Sequence, residues 1–478
     1  MRDHQGVPAE SGAGPPRLTT TDSGPSRIAY VALLACSTLG TLASTLLSAP
    51  INVIARDLAA SPQGIVLAVS AFTLAMVVCA PVVGWMCERF GSRVVLSGSL
   101  ALMAAAQVGA ALSQDLRFLV LMRAVQGLAC SAIPPAVQQV LGYHWAEHKV
   151  RVMAAWATAI GLGQAVGPAL GGFIADTLGW RAVFVAHAGL SLILLLLSLT
   201  VVPSVAKTPA RLDVPSMATL VVGVGAVIGA LTWAGQGGDL HLVLSVAAAG
   251  GLTLGAFAWR ARGGGRSFVA WEVLVDLRYT ASSAAAGTVM ACLGVAVVAT
   301  PLHLGRDVGL GPAAIGLIML TLALAMTACA PLSTRLTNRF TQWRVLRLGL
   351  TLLAAGLVAL PLAAMTGTPA RVVAVTVTGL ALAGGGIGIS QATSALGLMT
   401  SRAAAHGAAL GLHNMTRFAG LAVGYAWVAL TYPSGHLRLV YAGPVVLVAG
   451  SWAFAARAGA AGDTVASADA AQVAADAR

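Results

Sequence analysis

Fourteen apolar stretches recur along the chain, at about 28–50, 62–83, 94–112, 118–142, 152–174, 182–202, 214–234, 240–259, 279–302, 312–332, 345–364, 372–399, 405–431 and 438–456. Each is close to the roughly 20 residues that cross a bilayer as a helix. The breaks between them hold a charge, a Gly or a Pro, as they must where the chain leaves hydrocarbon, because an unpaired backbone group cannot remain in lipid. The pattern predicts an all-α integral membrane protein of fourteen transmembrane helices. Composition agrees: 58% of residues are apolar, 9% are charged and the mean hydropathy is +0.84, whereas a soluble domain carries about 25% charge. A soluble protein is excluded, and the lipid bilayer is the first partner to expect.

Cations set the orientation. With the first residue in the cytoplasm, 20 of the 28 Lys and Arg fall in inside segments and 6 outside, while Arg123 and Arg417 lie within spans. The positive-inside rule therefore predicts cytoplasmic N- and C-termini. The net charge of +12 reads as topology, since no basic stripe with interleaved aromatics offers itself to nucleic acid. Cys36, Cys79, Cys130, Cys292 and Cys329 sit in apolar stretches as small hydrophobes and imply no disulfide framework. Residues 1–27 are polar, lack the order of a signal peptide, and read as a disordered cytoplasmic tail, as does the Ala/Asp-rich segment 458–478.

Two halves are visible. Gly84-Trp85-Met86-Cys87-Glu88-Arg89-Phe90-Gly91-Ser92-Arg93, after the second span, is echoed 250 residues later by Thr334-Arg335-Leu336-Thr337-Asn338-Arg339-Phe340-Thr341, after the tenth. The organisation predicted is a six-helix half at 28–202, a linker at 203–265 holding two additional spans, and a second six-helix half at 266–457. Paired halves of this kind face each other across a cavity in rocking transporters.

Particular residues carry chemistry. In the loop at 84–93, Gly84 and Gly91 permit a tight turn, and Glu88 can accept bonds from a neighbouring helix N-terminus or pair with Arg89 or Arg93; a plain basic turn that fixes topology is the alternative. Arg123, in Leu121-Met122-Arg123-Ala124-Val125-Gln126-Gly127, lies inside a span, where a guanidinium is costly unless it faces a cavity or a partner; otherwise it snorkels to the headgroups. Gly163, Gly167, Pro168, Gly171 and Gly172 put small residues at four-residue spacing, a seam for close backbone approach.

On these residues the chain resembles the major facilitator superfamily. The 84–93 loop is similar to its G-x-L-x-D-R-x-G-R-[KR] motif, with Met86 for Leu and Glu88 for Asp, and the resemblance implies a conformational latch between halves. Arg123, Gln126 and Gly127 match the family's R-x-x-Q-G, whose arginine is implicated in proton coupling or cavity polarity. Gly163 to Gly172 matches the G-x-x-x-G-P-x-x-G-G motif of antiporters. Together with Gly179-Trp180-Arg181, Gly407 to Gly411 and the N-x-x-R pair Asn414 and Arg417, these motifs resemble the fourteen-helix drug:proton antiporter branch over roughly residues 28–457.

One departure stands out. Where that branch carries an aspartate in the first span, this chain reads Ala43, in Ala43-Ser44-Thr45-Leu46-Leu47-Ser48-Ala49-Pro50-Ile51-Asn52, and all 16 acidic residues fall in tails, loops or helix ends. Without a carboxylate in the bilayer core, neutral, amphiphilic or anionic substrates are favoured over cations. Proton carriage passes to histidine, whose ordinary titration is nearest neutrality. His413, which shares a face with Arg417 four residues on, is the first choice, with His187 and His303 behind it; a packed, hydrogen-bonding histidine is the alternative for each. Thr45, Arg123, Gln126, Gly127, His413, Asn414 and Arg417 are the coupling and cavity candidates.

No Cys/His metal spacing, Gly-rich phosphate loop or nucleophile elbow occurs, so no catalytic residue, metal or cofactor is expected, and transport cannot be driven by ATP through this chain alone. The expectation is a monomeric secondary active exporter of hydrophobic or amphiphilic small molecules in a bacterial inner membrane, exchanging protons by resemblance. A proton-independent lipid or metabolite exporter, and a membrane sensor or enzyme, are the rivals.

Overall fold

A computed structural model describes residues 26–476, except 48–49, 61, 208–212, 236, 264–268, 311, 364–367 and 433–434, and for 461–476 it describes backbone alone. The segment 1–25 of the expected N-terminal tail lies outside the described residues. Helices formed by the apolar stretches are numbered here α1 to α14. The first six are α1 (Arg27–Thr45), α2 (Pro62–Phe90), α3 (Ser92–Ala111), α4 (Leu116–His144), α5 (Lys149–Leu178) and α6 (Trp180–Val201). The linker holds α7 (Val214–Ala234) and α8 (Leu240–Arg262). The remaining six are α9 (Leu277–Arg306), α10 (Pro312–Cys329), α11 (Gln342–Ala363), α12 (Pro369–Met399), α13 (Gly407–Thr431) and α14 (Leu437–Asp476). No strand occurs among the described residues.

Thirteen of these helices are long and apolar enough to cross a membrane. The other, α13, has 25 residues, but His413, Asn414 and Arg417 dilute its hydropathy. Backbone helix continues to Asp476 in α14, past Arg457, where composition alone suggested a disordered tail; the reason is the run of alanines, the strongest helix former.

Acidic residues serve the helix ends. Asp115 accepts from the Phe118 N–H at 2.9 Å, Asp239 from the Leu242 N–H at 2.9 Å, and Asp276 from the Arg278 N–H at 2.8 Å. Each satisfies a first-turn donor that has no partner inside its own helix, an N-cap worth about 1 kcal/mol. Gly91 (φ 93°) and Gly179 (φ 84°) turn the chain between α2 and α3 and between α5 and α6 in a backbone region that a Cβ strains.

The two halves repeat the same neighbours. In the first, α1 packs on α5, α2 on α4, and α3 on both α4 and α6; in the second, α9 packs on α13, α10 on α12, and α11 on both α12 and α14. Each pair recurs eight helices on, so the duplication read from one loop extends to the whole packing plan. The halves meet where α2 packs on α13 and where α5 packs on α10 and α12. The linker helix α7 lies against both α2 and α13, alongside that seam.

Depth distinguishes the two ends. At the end carrying the 84–93 loop, one buried cluster joins both halves, with Leu33, Val140, Leu141 and Trp156 packed among Ala395, Leu398, Met399 and Ala408. At the opposite end the buried cluster of Leu42, Ile54, Leu119, Trp180 and Phe184 is drawn from the first half alone. The loop end is therefore the closed end.

Candidate transport site

The closed end is tied by the 84–93 loop. Glu88, buried in the last turn of α2, accepts at Oε1 from the Ala408 N–H, 3.1 Å away at the start of α13. The helix N-terminus that the sequence offered to Glu88 is thus one belonging to the other half, where unpaired N–H groups and the helix dipole favour a carboxylate. Arg93 donates to the Leu199 carbonyl oxygen of α6, and Ser92 to Gln139 of α4, so the loop is anchored within its own half as well. Arg89 is exposed. A Cβ on Gly411 of α13 would come within 2.9 Å of the Gly84 Cα and 2.5 Å of the Ala80 oxygen, so the two helix backbones touch here.

The small-residue seam of α5 faces α1. A Cβ on Gly163 would lie 2.1 Å from Thr41 Oγ1, one on Gly167 2.0 Å from Thr45 Oγ1, and one on Gly171 2.1 Å from the Leu46 oxygen. Thr45 is therefore the packing partner of Gly167. Pro168 and Gly172 continue the same helix.

Arg123 is fully buried, so it does not snorkel. Its Nη1 donates to Gln126 Oε1 at 2.7 Å and to the Ala43 oxygen at 3.3 Å, its Nε donates to the Ala68 oxygen at 3.4 Å, and its guanidinium stands 4.2 Å from the Phe72 ring centroid. Carbonyl dipoles, an amide and a π face thus solvate the charge where a carboxylate is missing. A Cβ on Gly127 would lie 2.1 Å from the Phe72 oxygen, so α4 and α2 pack at contact beside it. From Gln126 the bonds continue: Gln126 Nε2 donates to Gln107 Oε1 at 3.3 Å, and Gln107 Nε2 to His187 Nδ1 at 3.0 Å. With Nδ1 accepting, His187 carries its proton on Nε2 and donates it to the Leu39 oxygen at 3.2 Å. The chain from Arg123 to Leu39 crosses α4, α3, α6 and α1, every donor pointing the same way.

A second polar group spans the halves. Asn414 Nδ2 donates to Gln138 Oε1 of α4 at 2.8 Å, while Asn414 Oδ1 accepts from Arg417 Nη1 at 2.9 Å. The Arg417 guanidinium lies 5.0 Å from the Trp156 ring of α5 and 6.0 Å from the Phe418 ring. His413 pairs with Ser283 of α9 at 3.0 Å, within the second half. His303 bonds Asp307 at 2.7 Å at the far end of α9.

Near the open end, Arg181 Nη1 pairs with Asp57 Oδ2 at 2.6 Å, Trp180 Nε1 donates to the same oxygen at 3.0 Å, and Arg181 also reaches the Ser113 oxygen at 3.0 Å. The Arg181 hydrogen bond, then that of Trp180, holds the Asp57 carboxyl below its ordinary range.

The structure therefore gathers Arg123 and Gln126 with His187, and Asn414 with Arg417, while His413 belongs to neither chain of bonds. Gln107, Gln138 and Trp156 were not singled out from sequence. The signal available was the glutamine itself, since a buried amide in an apolar span must find a partner.

Known proteins share this plan. The family description of the Major Facilitator Superfamily matches residues 31–425. A putative multidrug resistance protein MdtD of Yersinia pestis (strain Pestoides F) is 25% identical over 334 residues, 68% of this chain and 71% of the relative. The MdtD protein of Yersinia pseudotuberculosis serotype O:1b (strain IP 31758) matches equally, at 25% over 334 residues. Among solved structures, the human organic anion transporter MFSD10 (TETRAN) superposes with a TM-score of 0.68 at 14% identity, covering 91% of this chain and 100% of that one. The proton:xylose symporter XylE superposes with a TM-score of 0.64 at 15% identity, covering 89% and 95%.

Proposed function

The chain belongs to the major facilitator superfamily, and from that premise we propose that it exports hydrophobic or amphiphilic small molecules from a bacterial cytoplasm, in exchange for protons, by alternating access. Membership supports a multi-pass membrane transporter as the reading, with an enzyme as the weaker one. The finer reading rests on one observation above the others: the complete antiporter-type seam, Gly163, Gly167 and Gly171, seated on α1 with no room for a Cβ. Such contact lets α1 and α5 move as one body while the halves rock. The loop end is the cytoplasmic end in this reading, both termini lie in the cytoplasm of an inner-membrane protein, and the chain works as a monomer. The relatives named for multidrug resistance support drugs, antibiotics among them, as cargo.

Counterflow of a hydrophobic dye in proteoliposomes, with and without an imposed pH gradient, tests it. Uptake accelerated by the gradient is expected; dye movement indifferent to the gradient leaves export without proton exchange, and no movement overturns export.

A second reading has its own support. The Ala43 backbone oxygen accepts from Arg123 where the antiporter branch has an aspartate, which favours a proton-independent lipid or metabolite exporter. In the counterflow assay that reading requires gradient-indifferent flux.

A further inference from the structure

Four helices contribute a layer of buried polar side chains at a single depth. Gln138 is six residues before the end of α4, Trp156 seven after the start of α5, Gln391 eight before the end of α12, and Asn414 and Arg417 seven and ten after the start of α13. At about 1.5 Å per residue these lie roughly 9 to 15 Å from the closed end. Two of the helices come from each half. Gln138 and Asn414 are fully buried, Trp156 is 1% exposed, Gln391 3% and Arg417 4%.

Their hydrogen-bonding capacity is only partly used. Gln138 spends its oxygen on Asn414, and Asn414 spends its own on Arg417. Gln138 Nε2, Trp156 Nε1 and both polar atoms of Gln391 have no partner among the described residues. Buried polar atoms are nearly always satisfied, so four orphans on one level are a feature that packing alone does not explain. What is spare is mostly donor: an indole N–H and two amide NH₂ groups, with only the Gln391 oxygen on the acceptor side. Among the described residues Arg417 is the charge of the layer; it is faced by Asn414 and by two aromatic rings, and no described carboxylate pairs with it. Apolar walls adjoin, since Trp156, Ile160, Ala392 and Leu398 share one buried cluster.

We propose that Gln138, Trp156, Gln391 and Arg417 bind the carboxylate head group of an amphiphilic substrate when the halves part at the closed end. Arg417 supplies the charge, Trp156 and Gln138 donate to the carboxylate oxygens, Gln391 adds a further donor, and the apolar wall takes the tail. In the arrangement described here the two halves close over the layer. The assignment rests on the exporter reading and narrows its cargo to organic anions.

Three probes of matched shape test it on the full chain in lipid nanodiscs: pyrenebutyrate, pyrenebutyramide and pyrenebutylamine, with binding read by energy transfer from tryptophan. Pyrenebutyrate is expected to bind at least about tenfold tighter than the other two, as a hydrogen-bonded charge should. Arg417→Gln should erase that preference, Arg417→Lys should restore part of it, and Gln138→Leu or Gln391→Leu should each weaken the carboxylate by roughly threefold to tenfold. Equal affinities in the native protein, or a preference that survives Arg417→Gln, overturn the proposal. If Arg417→Gln fails to fold, the two leucine variants decide: pyrenebutyrate affinity unchanged in both overturns it. Dye export without any carboxylate preference removes this site and leaves the exporter standing. Arginine-dependent carboxylate binding without export of any probe removes the exporter and leaves the site.

Discussion

Glu88, at the end of α2, and the backbone N–H of Ala408, at the start of α13, stand 3.1 Å apart and are 320 residues apart in sequence, one on each half of the molecule. The bond exists only while the loop end is closed, so it stabilises that state against its alternative. Glu88→Ala removes a helix-terminal acceptor and a favourable charge, together about 1 kcal/mol, which shifts the closed-to-open ratio by about fivefold. Spin labels on the exposed positions 89 and 402 should show a larger long-distance population in Glu88→Ala and an intermediate one in Glu88→Gln. An unchanged distance distribution would remove the latch.

The seam between α1 and α5 gives a steric prediction. A Cβ on Gly167 would lie 2.0 Å from Thr45 Oγ1, so Gly167→Leu must push the helices apart, at a cost of about 1–3 kcal/mol. The variant should insert into the membrane but melt at lower temperature and lose most transport. Gly189→Ala is the matched control, because a Cβ there meets nothing within 4 Å. Native flux in Gly167→Leu would detach the seam from function.

Acid should loosen the open end first. The Arg181 and Trp180 hydrogen bonds hold the Asp57 carboxyl below its ordinary range. A depressed pKa means that the stabilisation is fully present above the unfolded carboxyl value, about 3.9, and is lost as pH falls through the folded value. Asp57→Asn should therefore leave a melting temperature less sensitive to pH below about 4 than that of the native protein. Identical acid sensitivity of the two proteins would show that the pair contributes nothing.

Orientation is checked separately. Reporter fusions after residue 236 should register outside and after residue 264 inside; the same side for both would break the even count of crossings.

The spans were legible because the bilayer leaves the backbone one choice, and the duplication was legible because Arg89-Phe90 and Arg339-Phe340 keep their spacing. Arg123 and Arg417 were legible because charge in a span is costly. Partners were not. Nothing in a linear chain says that Glu88 meets Ala408 or that Asn414 meets Gln138, contacts that arise only when α13 packs on α2 and α4. Gln107 and Gln391 were less legible for a different reason: an uncharged amide costs less than a charge in an apolar helix and so marks the sequence less sharply, although it also needs a partner. His413 drew attention by sharing a helix with Arg417, yet its bond goes to Ser283, while His187 holds the place in the hydrogen-bonded chain.

That chain makes the last prediction. Arg123, Gln126, Gln107, His187 and the Leu39 oxygen are linked donor to acceptor without a carboxylate, so a proton that enters at His187 Nδ1 faces an amide NH₂, with the Ser191 hydroxyl 3.4 Å away as the other neighbour, and favours turnover of Gln107, then Gln126. Gln126 would then present its NH₂ to Arg123, which would lose its side-chain acceptor and keep only carbonyl oxygens. Protonation at one end is thereby felt at the other. Gln107→Leu cuts the link while leaving Arg123 with Gln126, and Gln126 with the Ala106 oxygen at 3.2 Å. It should cost about 1–3 kcal/mol of stability and displace the pH profile of transport. Arg123→Ala should abolish transport, and Arg123→Lys should keep part of it, since the charge remains but the planar fork is lost. A Gln107→Leu profile that is scaled down without being displaced would make the chain a scaffold for Arg123 alone, with proton exchange to be sought at His303 and Asp307.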